Sequence, residues 1–254
     1  MFHNHHGLVL EAAKYKMLAD YFRYSNPHLH NFYEQKHLIC VQQLAQTELQ
    51  AYHYSLMSRA GEQNAFIRLF HASPDTSGVD VYVNGKKSIS NLVFEETTDY
   101  LSLPAGRYTL EVYPTGETTS PILKEQLSLT RNTYYTAAAT GLLNNITLSF
   151  FIDKPYVSRN QAKIRFSHLS PDASNVDIAV QGGNILFQNV SYERVTDYLT
   201  LSPMTVNLEV RETGTNNVVF TIPQVQLKAG ETYTALAVGL AGGTPELEVI
   251  FLMP

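Results

Sequence analysis

The chain repeats itself, and that property constrains its fold more than any other. The segment IRLFHASPDTSGVDVYVNG, running from Ile67 to Gly85, returns about 97 residues later as IRFSHLSPDASNVDIAVQG, from Ile164 to Gly182. The match continues through TDYLSL (Thr98 to Leu103) and TDYLTL (Thr196 to Leu201), and through LEV at Leu110 to Val112 and again at Leu208 to Val210. It closes with YTAAATGL (Tyr135 to Leu142) and YTALAVGL (Tyr233 to Leu240). Self-similarity of this length means two copies of one structural unit.

Within each copy the hydrophobic period is two. Tyr108, Leu110 and Val112 alternate with Thr109, Glu111 and Tyr113, and Val206, Leu208 and Val210 alternate with Asn207, Glu209 and Arg211. Turn residues interrupt at intervals of roughly 8–12 residues, among them Ser73-Pro74-Asp75, Asn84-Gly85, Pro104-Ala105-Gly106, Gly182-Gly183 and Ala229-Gly230. No helical pattern intervenes, which excludes a βαβ architecture. The sequence predicts a mainly β chain: two tandem antiparallel immunoglobulin-like β-sandwiches preceded by an α-helical hairpin. The expected divisions are 1–62 for the helical hairpin arm, 63–153 for the first sandwich, 154–160 for a linker and 161–254 for the second sandwich. So short a linker, containing Pro155, predicts modules set end to end with a small polar contact.

The arm has a different composition, rich in His, Tyr, Gln and Leu. Leu10, Met17, Tyr21 and Tyr24 recur at helical spacing, and Leu38, Val41, Ala45, Leu49, Tyr52 and Leu56 trace a second apolar stripe. Asn26-Pro27 ends the first helix, Asn31 is the expected N-cap of the second, and Gly61 stops it. The aromatic residues exceed what one seam between two helices needs, so a further surface is expected to meet them, either the first sandwich or a second copy of the hairpin in a four-helix bundle.

Composition then removes several function classes. With 18 Lys plus Arg against 23 Asp plus Glu and a net charge of -5, the chain has no basic stripe for nucleic acid. Its single Cys40 excludes an internal disulfide and reads as a small core residue. No apolar run approaches the roughly 18–20 residues needed to span a bilayer. The opening MFHNHHG lacks a secretory pattern, so the expectation is synthesis in the cytoplasm without a signal peptide. Delivery to a spore coat or cell surface would then take a non-Sec route.

The residue types of a hydrolytic triad occur as His71, Ser73 and Asp75 and again as His168, Ser170 and Asp172. Their spacing of two, followed or interrupted by Pro74 and Pro171, reads instead as a structural turn, because a triad draws its members from separate elements with the base between nucleophile and carboxylate. Asp80 and Asp177, on the next strand, read as carboxylates that accept backbone N–H groups, with calcium as the sharper alternative. Tyr82, Tyr113 and Tyr156 are candidate stacking aromatics for a glycan, in a chain with 16 Tyr and no Trp. Seven of the nine His lie in the arm, with His3, His5 and His6 close together, and His28, His30, Glu34 and His37 are the candidate metal ligands. No catalytic residue, cofactor or definite metal site is expected.

The paired openings, with His71, Ser73, Pro74, Asp75, Val79 and Asp80 answered by His168, Ser170, Pro171, Asp172, Val176 and Asp177, resemble the family called domain of unknown function 4397. The middle strand, Leu103 to Gly106, Tyr108 and Leu110 to Val112, is similar to that family's too, while the second copy departs from it at Ser202-Pro203-Met204-Thr205. The resemblance implies a surface-type β module without established catalysis. The leaderless, Tyr- and His-rich composition also resembles that of bacterial spore coat or outer-layer proteins. The expected function is therefore a non-enzymatic structural or adhesive protein of surface or coat type that forms homo-oligomers through its arm, with an envelope or coat protein or a glycan as partner. The alternatives are a module that binds carbohydrate or a cell-envelope polymer and, third, a metal-binding or hydrolytic enzyme.

Overall fold

The computed structural model describes the backbone of residues 2–253, and the side chains of residues 7–46, 48 and 63–253. It falls into two compact units, residues 1–62 and 63–254.

The first unit is a pair of helices, α1 (Phe2–Phe22) and α2 (Pro27–Glu62). Asn26 starts α2: its side-chain oxygen accepts the Leu29 N–H at 3.2 Å, and Pro27 takes the first helical position, where no backbone donor is needed. The cap is thus Asn26 and not Asn31, which lies inside the helix. The seam between the helices also differs from the expected stripes. Leu10, Met17 and Tyr21 on α1, Tyr24 in the turn after it, and Leu38 and Val41 on α2 are exposed, as is Ala45. Buried instead are Ala12, Ala19 and Cys40, flanked by half-buried Tyr15, Phe22, His30, Tyr33 and His37. The small alanines leave backbone carbonyls within reach of imidazole: His30 Nδ1 lies 2.9 Å from the Ala19 oxygen and His37 Nδ1 2.9 Å from that of Ala12. Both pairs step by one heptad, so two antiparallel helices repeat one contact. Leu49, Tyr52 and Leu56 belong to the side chains outside the described residues.

The second unit holds both copies. The first comprises β1 (Asn64–His71), β2 (Val79–Val83), β3 (Lys86–Leu92), β4 (Leu101–Pro104), β5 (Gly106–Pro114), β6 (Leu123–Leu129), β7 (Tyr134–Thr140) and β8 (Thr147–Asp153). The second comprises β9 (Ala162–His168), β10 (Val176–Val180), β11 (Ile185–Val190), β12 (Leu199–Leu201), β13 (Met204–Glu212), β14 (Val218–Leu227), β15 (Thr232–Val238) and β16 (Glu248–Leu252). Each copy is two four-stranded sheets, β4-β1-β7-β8 with β3-β2-β5-β6, and β12-β9-β15-β16 with β11-β10-β13-β14. The fold is mainly β, as expected, but not wholly antiparallel: β1 runs parallel to β7, and β9 to β15. The first and seventh strands of each copy end up side by side only after the chain has crossed both sheets, which lets them share a direction without a βαβ crossover.

Ile67, Leu69, Val81, Leu110, Val112 and Ala137 lie in the first core, and Ile164, Phe166, Ile178, Leu208, Val210 and Ala235 in the second. The alternate residues of the inner strands face the other way, toward the other module. Phe70 on β1, Ala138 on β7, and Leu236 and Val238 on β15 join Ala72, Leu169 and Leu252 in a third buried cluster, with Phe94 and Ile250 packed against it. The modules therefore meet face to face through the sheets β4-β1-β7-β8 and β12-β9-β15-β16, in place of the end-to-end arrangement and small polar contact expected from the linker. The cause is that both inner sheets carry an apolar stripe on each face, and burying a side chain such as Phe70 or Leu236 stabilises by about 1.5–3 kcal/mol.

Candidate functional site

The repeated turn is built from the end of β1 or β9. His71 and His168 are fully enclosed, and each ring is tied to a carbonyl six residues on: His71 Nε2 lies 3.3 Å from the Ser77 oxygen, and His168 Nε2 3.0 Å from that of Ser174. Nδ1 of His71 accepts the Ser73 N–H at 3.3 Å, which places the ring proton on Nε2. Burial lowers both His pKa values and holds the rings neutral. Ser73 and Ser170 are also buried, and each hydroxyl donates to the carboxylate two residues on, Asp75 at 3.5 Å and Asp172 at 3.2 Å. Ser73 Oγ lies 2.6 Å from Thr76 Oγ1 as well. The carboxylates in turn receive backbone donors from the loop after the seventh strand: Asp75 from Leu143 at 2.8 Å, Asp172 from Ala241 at 2.7 Å and Gly242 at 3.0 Å. Burial raises the Asp172 pKa, but these donors and Ser170 outweigh it and leave the group lowered. Serine bonds carboxylate directly and the imidazole is turned to a carbonyl, so no base stands between nucleophile and acid as acyl transfer requires. Pro74 is buried and Pro171 half-buried in the same turns.

Asp80 and Asp177 close the other side of each turn region. Asp80 accepts the N–H groups of Asn91 at 2.9 Å and Gly116 at 3.1 Å, and Lys87 Nζ lies 2.6 Å away. The Lys87 contact and these N–H bonds lower its pKa despite burial. Asp177 accepts from Asn189 at 2.7 Å, Thr213 at 3.2 Å and Gly214 at 3.3 Å. Each carboxylate thus ties two hairpins together with its oxygens occupied.

The candidate aromatics are divided between faces. Tyr82 and Tyr113 meet edge to face at 5.1 Å on the outer sheet of the first module, both half-exposed. Tyr156, in the segment between modules and 78% exposed, stands edge-on to Tyr134 at 6.1 Å, and Tyr134 stacks on Phe66 at 4.5 Å. The arm candidates do not converge: His28 is exposed, His30 and His37 are bound to carbonyls, and Glu34 pairs with Lys16 at 3.4 Å. Among the described residues no group of three or more His, Cys, Asp or Glu is placed to hold a metal, and no helix is long and apolar enough to cross a membrane. The side chains of His3, His5 and His6 lie outside the described residues.

The densest polar site was not singled out from the sequence. Arg68, Arg165 and Asp153, each 3% exposed, meet in the face between the modules. Arg68 Nε donates to Thr136 at 2.9 Å and its NH1 to the carbonyl of Met253 at 2.6 Å; Arg165 Nε donates to Thr234 at 3.0 Å and its NH1 to the carbonyl of Ile152 at 2.7 Å. Each arginine therefore bonds a threonine of its own module and the end of the other module's last strand. Asp153 receives Arg165, Tyr100 at 2.6 Å and Thr136 at 2.7 Å, with Arg68 at 3.5 Å. The guanidinium of Arg68 lies over Tyr100 and that of Arg165 over Tyr198 and Phe151. Burial and the Asp153 charge raise the Tyr100 pKa, keeping that hydroxyl a donor. The signal in the sequence is that Arg68 and Arg165 hold the same repeat position, the charged residue that both copies share on their first strand.

Comparison with known proteins places this geometry in a family. No curated protein matches the chain. Among solved structures, the Bacillus anthracis TIE protein is 11% identical over 70% of this chain, which spans only 34% of that protein, with a TM-score of 0.23. A structure described as a "putative cell adhesion protein" from Bacteroides ovatus ATCC 8483 is also 11% identical, over 75% of this chain and 96% of that one, with a TM-score of 0.23. Likenesses this distant carry no argument about fold or role. The family profile shows membership: residues 65–179 and 162–251 both match the domain of unknown function DUF4397, spanning both copies and the motifs built around His71 and His168. The chain belongs to the DUF4397 family, of which it carries two modules in tandem.

Proposed function

We propose that this chain is a non-enzymatic structural or adhesive protein of surface or coat type, in which the paired modules act as one rigid unit and copies self-associate through the helical arm. The observation that carries this reading is the fate of the reactive side chains. In both copies the His and Ser of the repeated motif are buried and the Asp is bonded to backbone, so the motif shapes a turn and leaves no nucleophile free. The arm supports the second half: Leu10, Met17 and Tyr21, at helical spacing on one face of α1, are exposed although α1 and α2 already share a seam. Light scattering on the full chain and on one lacking residues 1–59 tests this. The full chain is expected to give a multiple of the monomer mass and the shortened one a folded monomer, whereas an unchanged mass sinks the role of the arm. Location at a spore coat or cell surface is part of the proposal, and following a tagged chain through growth and sporulation tests it.

A second reading, binding of carbohydrate or a cell-envelope polymer, is favoured by the exposed Tyr156 ring beside Tyr134 and Phe66. Retention on a glycan panel that is lost in Tyr156→Ala would support it.

A further inference from the structure

Each module sends one glutamate toward the other from equivalent positions of the repeat. Glu95 and Glu193 both follow an aromatic residue, Phe94 or Tyr192, and both have positive φ, 69° and 62°. Each donates its backbone N–H to the carbonyl of a buried histidine, Glu95 to His71 at 2.8 Å and Glu193 to His168 at 2.7 Å. Their receiving positions on the opposite module are equivalent too: Thr140 pairs with Thr147 across β7 and β8, as Val238 pairs with Glu248 across β15 and β16. The chemistry at the two ends differs. Glu193 meets two hydroxyls, Thr140 at 2.7 Å and Thr147, both of which donate to one carboxylate oxygen. By the same correspondence Glu95 is placed opposite Glu248, with Val238 where the second hydroxyl would be.

Two ionised carboxylates have no hydrogen to share, so a bond between Glu95 and Glu248 requires that one of them keep a proton. Both are half-buried, beside Phe94 and Ile250, which pack on the apolar cluster between the modules. Neither takes part in an ion pair among the described residues. We propose that Glu95 and Glu248 form a proton-dependent latch that holds this end of the interface closed while the pair shares a proton and loosens it when both carboxyls ionise.

The surrounding groups are consistent with this assignment. Burial, then the bond to Glu248 and its charge, raise the Glu95 pKa to about 7. On the same turn, Glu96 is exposed and accepts the Val93 N–H at 3.0 Å. His71, on β1, is kept neutral by burial, and Glu246, before β16, is exposed. A folded-state pKa above the ordinary value of 4.5 means the stabilisation is complete below pH 4.5 and is lost as the pH rises through about 7. His71 and His168, lowered from 6.5, act in the opposite sense, their contribution being lost as the pH falls, so the latch is read from variants rather than from overall stability alone.

The test is a side-chain carboxyl ¹³C NMR titration of the full chain, with amide hydrogen exchange in β16 corrected for intrinsic rates. In the wild type Glu95 should titrate near 7, and β16 protection should fall as the pH rises past it. Glu248→Thr, which recreates the environment of Glu193, should return Glu95 to the ordinary glutamate range and remove the pH dependence of protection. Glu95→Gln, which supplies a permanent donor, should keep β16 protected at all pH values, and Glu193→Gln should leave the Glu95 titration unchanged. An ordinary Glu95 titration in the wild type, or a pH-dependent protection that survives in both Glu248→Thr and Glu95→Gln, would overturn the latch.

Discussion

Among the described residues Asp153 is the one carboxylate that serves both buried guanidinium groups, and its position shows how one residue can decide an interface. Burying charge costs several kcal/mol per ion unless a partner and hydrogen bonds compensate, and here Thr136, Thr234, two strand-end carbonyls and three aromatic rings share that compensation. Asp153→Asn keeps the shape and removes the charge, which leaves Arg68 and Arg165 buried beside each other without an anion. Urea unfolding should show a loss of about 3–5 kcal/mol, the range seen when one partner of a buried pair is removed. A loss below about 1 kcal/mol would mean that water reaches these arginines and that the cluster is not the lock its geometry describes.

At the scale of the element, the sequence was most readable where burial is one-sided. β5 and β13 alternate in sequence, and this period of two, with Leu110, Val112, Leu208 and Val210 in the cores, marks the sandwich, although Glu209 on β13 is itself buried beside Arg211. β15 is buried at every position and has no polar residue after Thr234, as expected of a strand covered on both sides, whereas β9, also buried throughout, keeps Lys163, Arg165 and Ser167 in alternation. The run Tyr233 to Val238 therefore held the clue to face-to-face modules, although it was read only as part of the repeat. The helices misled for the opposite reason. The described part of their apolar stripes, Leu10, Met17, Tyr21, Leu38, Val41 and Ala45, is exposed, while the seam uses alanines and histidines, which a hydrophobicity pattern does not count. Glycine marks the ends of the seventh strands: Gly141 and Gly239 have φ of 88° and 81°, and a Cβ there would collide with the carbonyls of Asn145 and Glu246. Gly239→Ala should destabilise the second module by more than about 1 kcal/mol in thermal or urea unfolding, since both the backbone region and the contact oppose a side chain. An unchanged midpoint would mean that the loop before β16 moves aside freely.

The whole β unit is four stacked sheets with three buried layers, two within modules and one between them. The middle layer is graded along its strands: on β7 the outward residues run from Tyr134 at the aromatic surface, through Thr136 in the charged cluster and Ala138 in the apolar centre, to Thr140 bonded to Glu193. A short linker alone would let two sandwiches pivot, but a layer with an ion cluster at one end, apolar residues in the middle and carboxyl contacts at the other resists both sliding and rotation. Mechanical coupling follows, and it has a thermodynamic signature. If the middle layer supports both modules, neither should unfold without exposing it, and calorimetry on the wild type should show one transition for the β unit. Phe70, 1% exposed and on the face away from its own core, reports on this layer more directly than any core residue. Phe70→Ala should cost about 3–5 kcal/mol and separate the transition into two, because it empties the middle layer while leaving each sandwich core filled. Two transitions already present in the wild type would show that the modules fold as neighbours without depending on each other, and a rigid paired unit would no longer describe them.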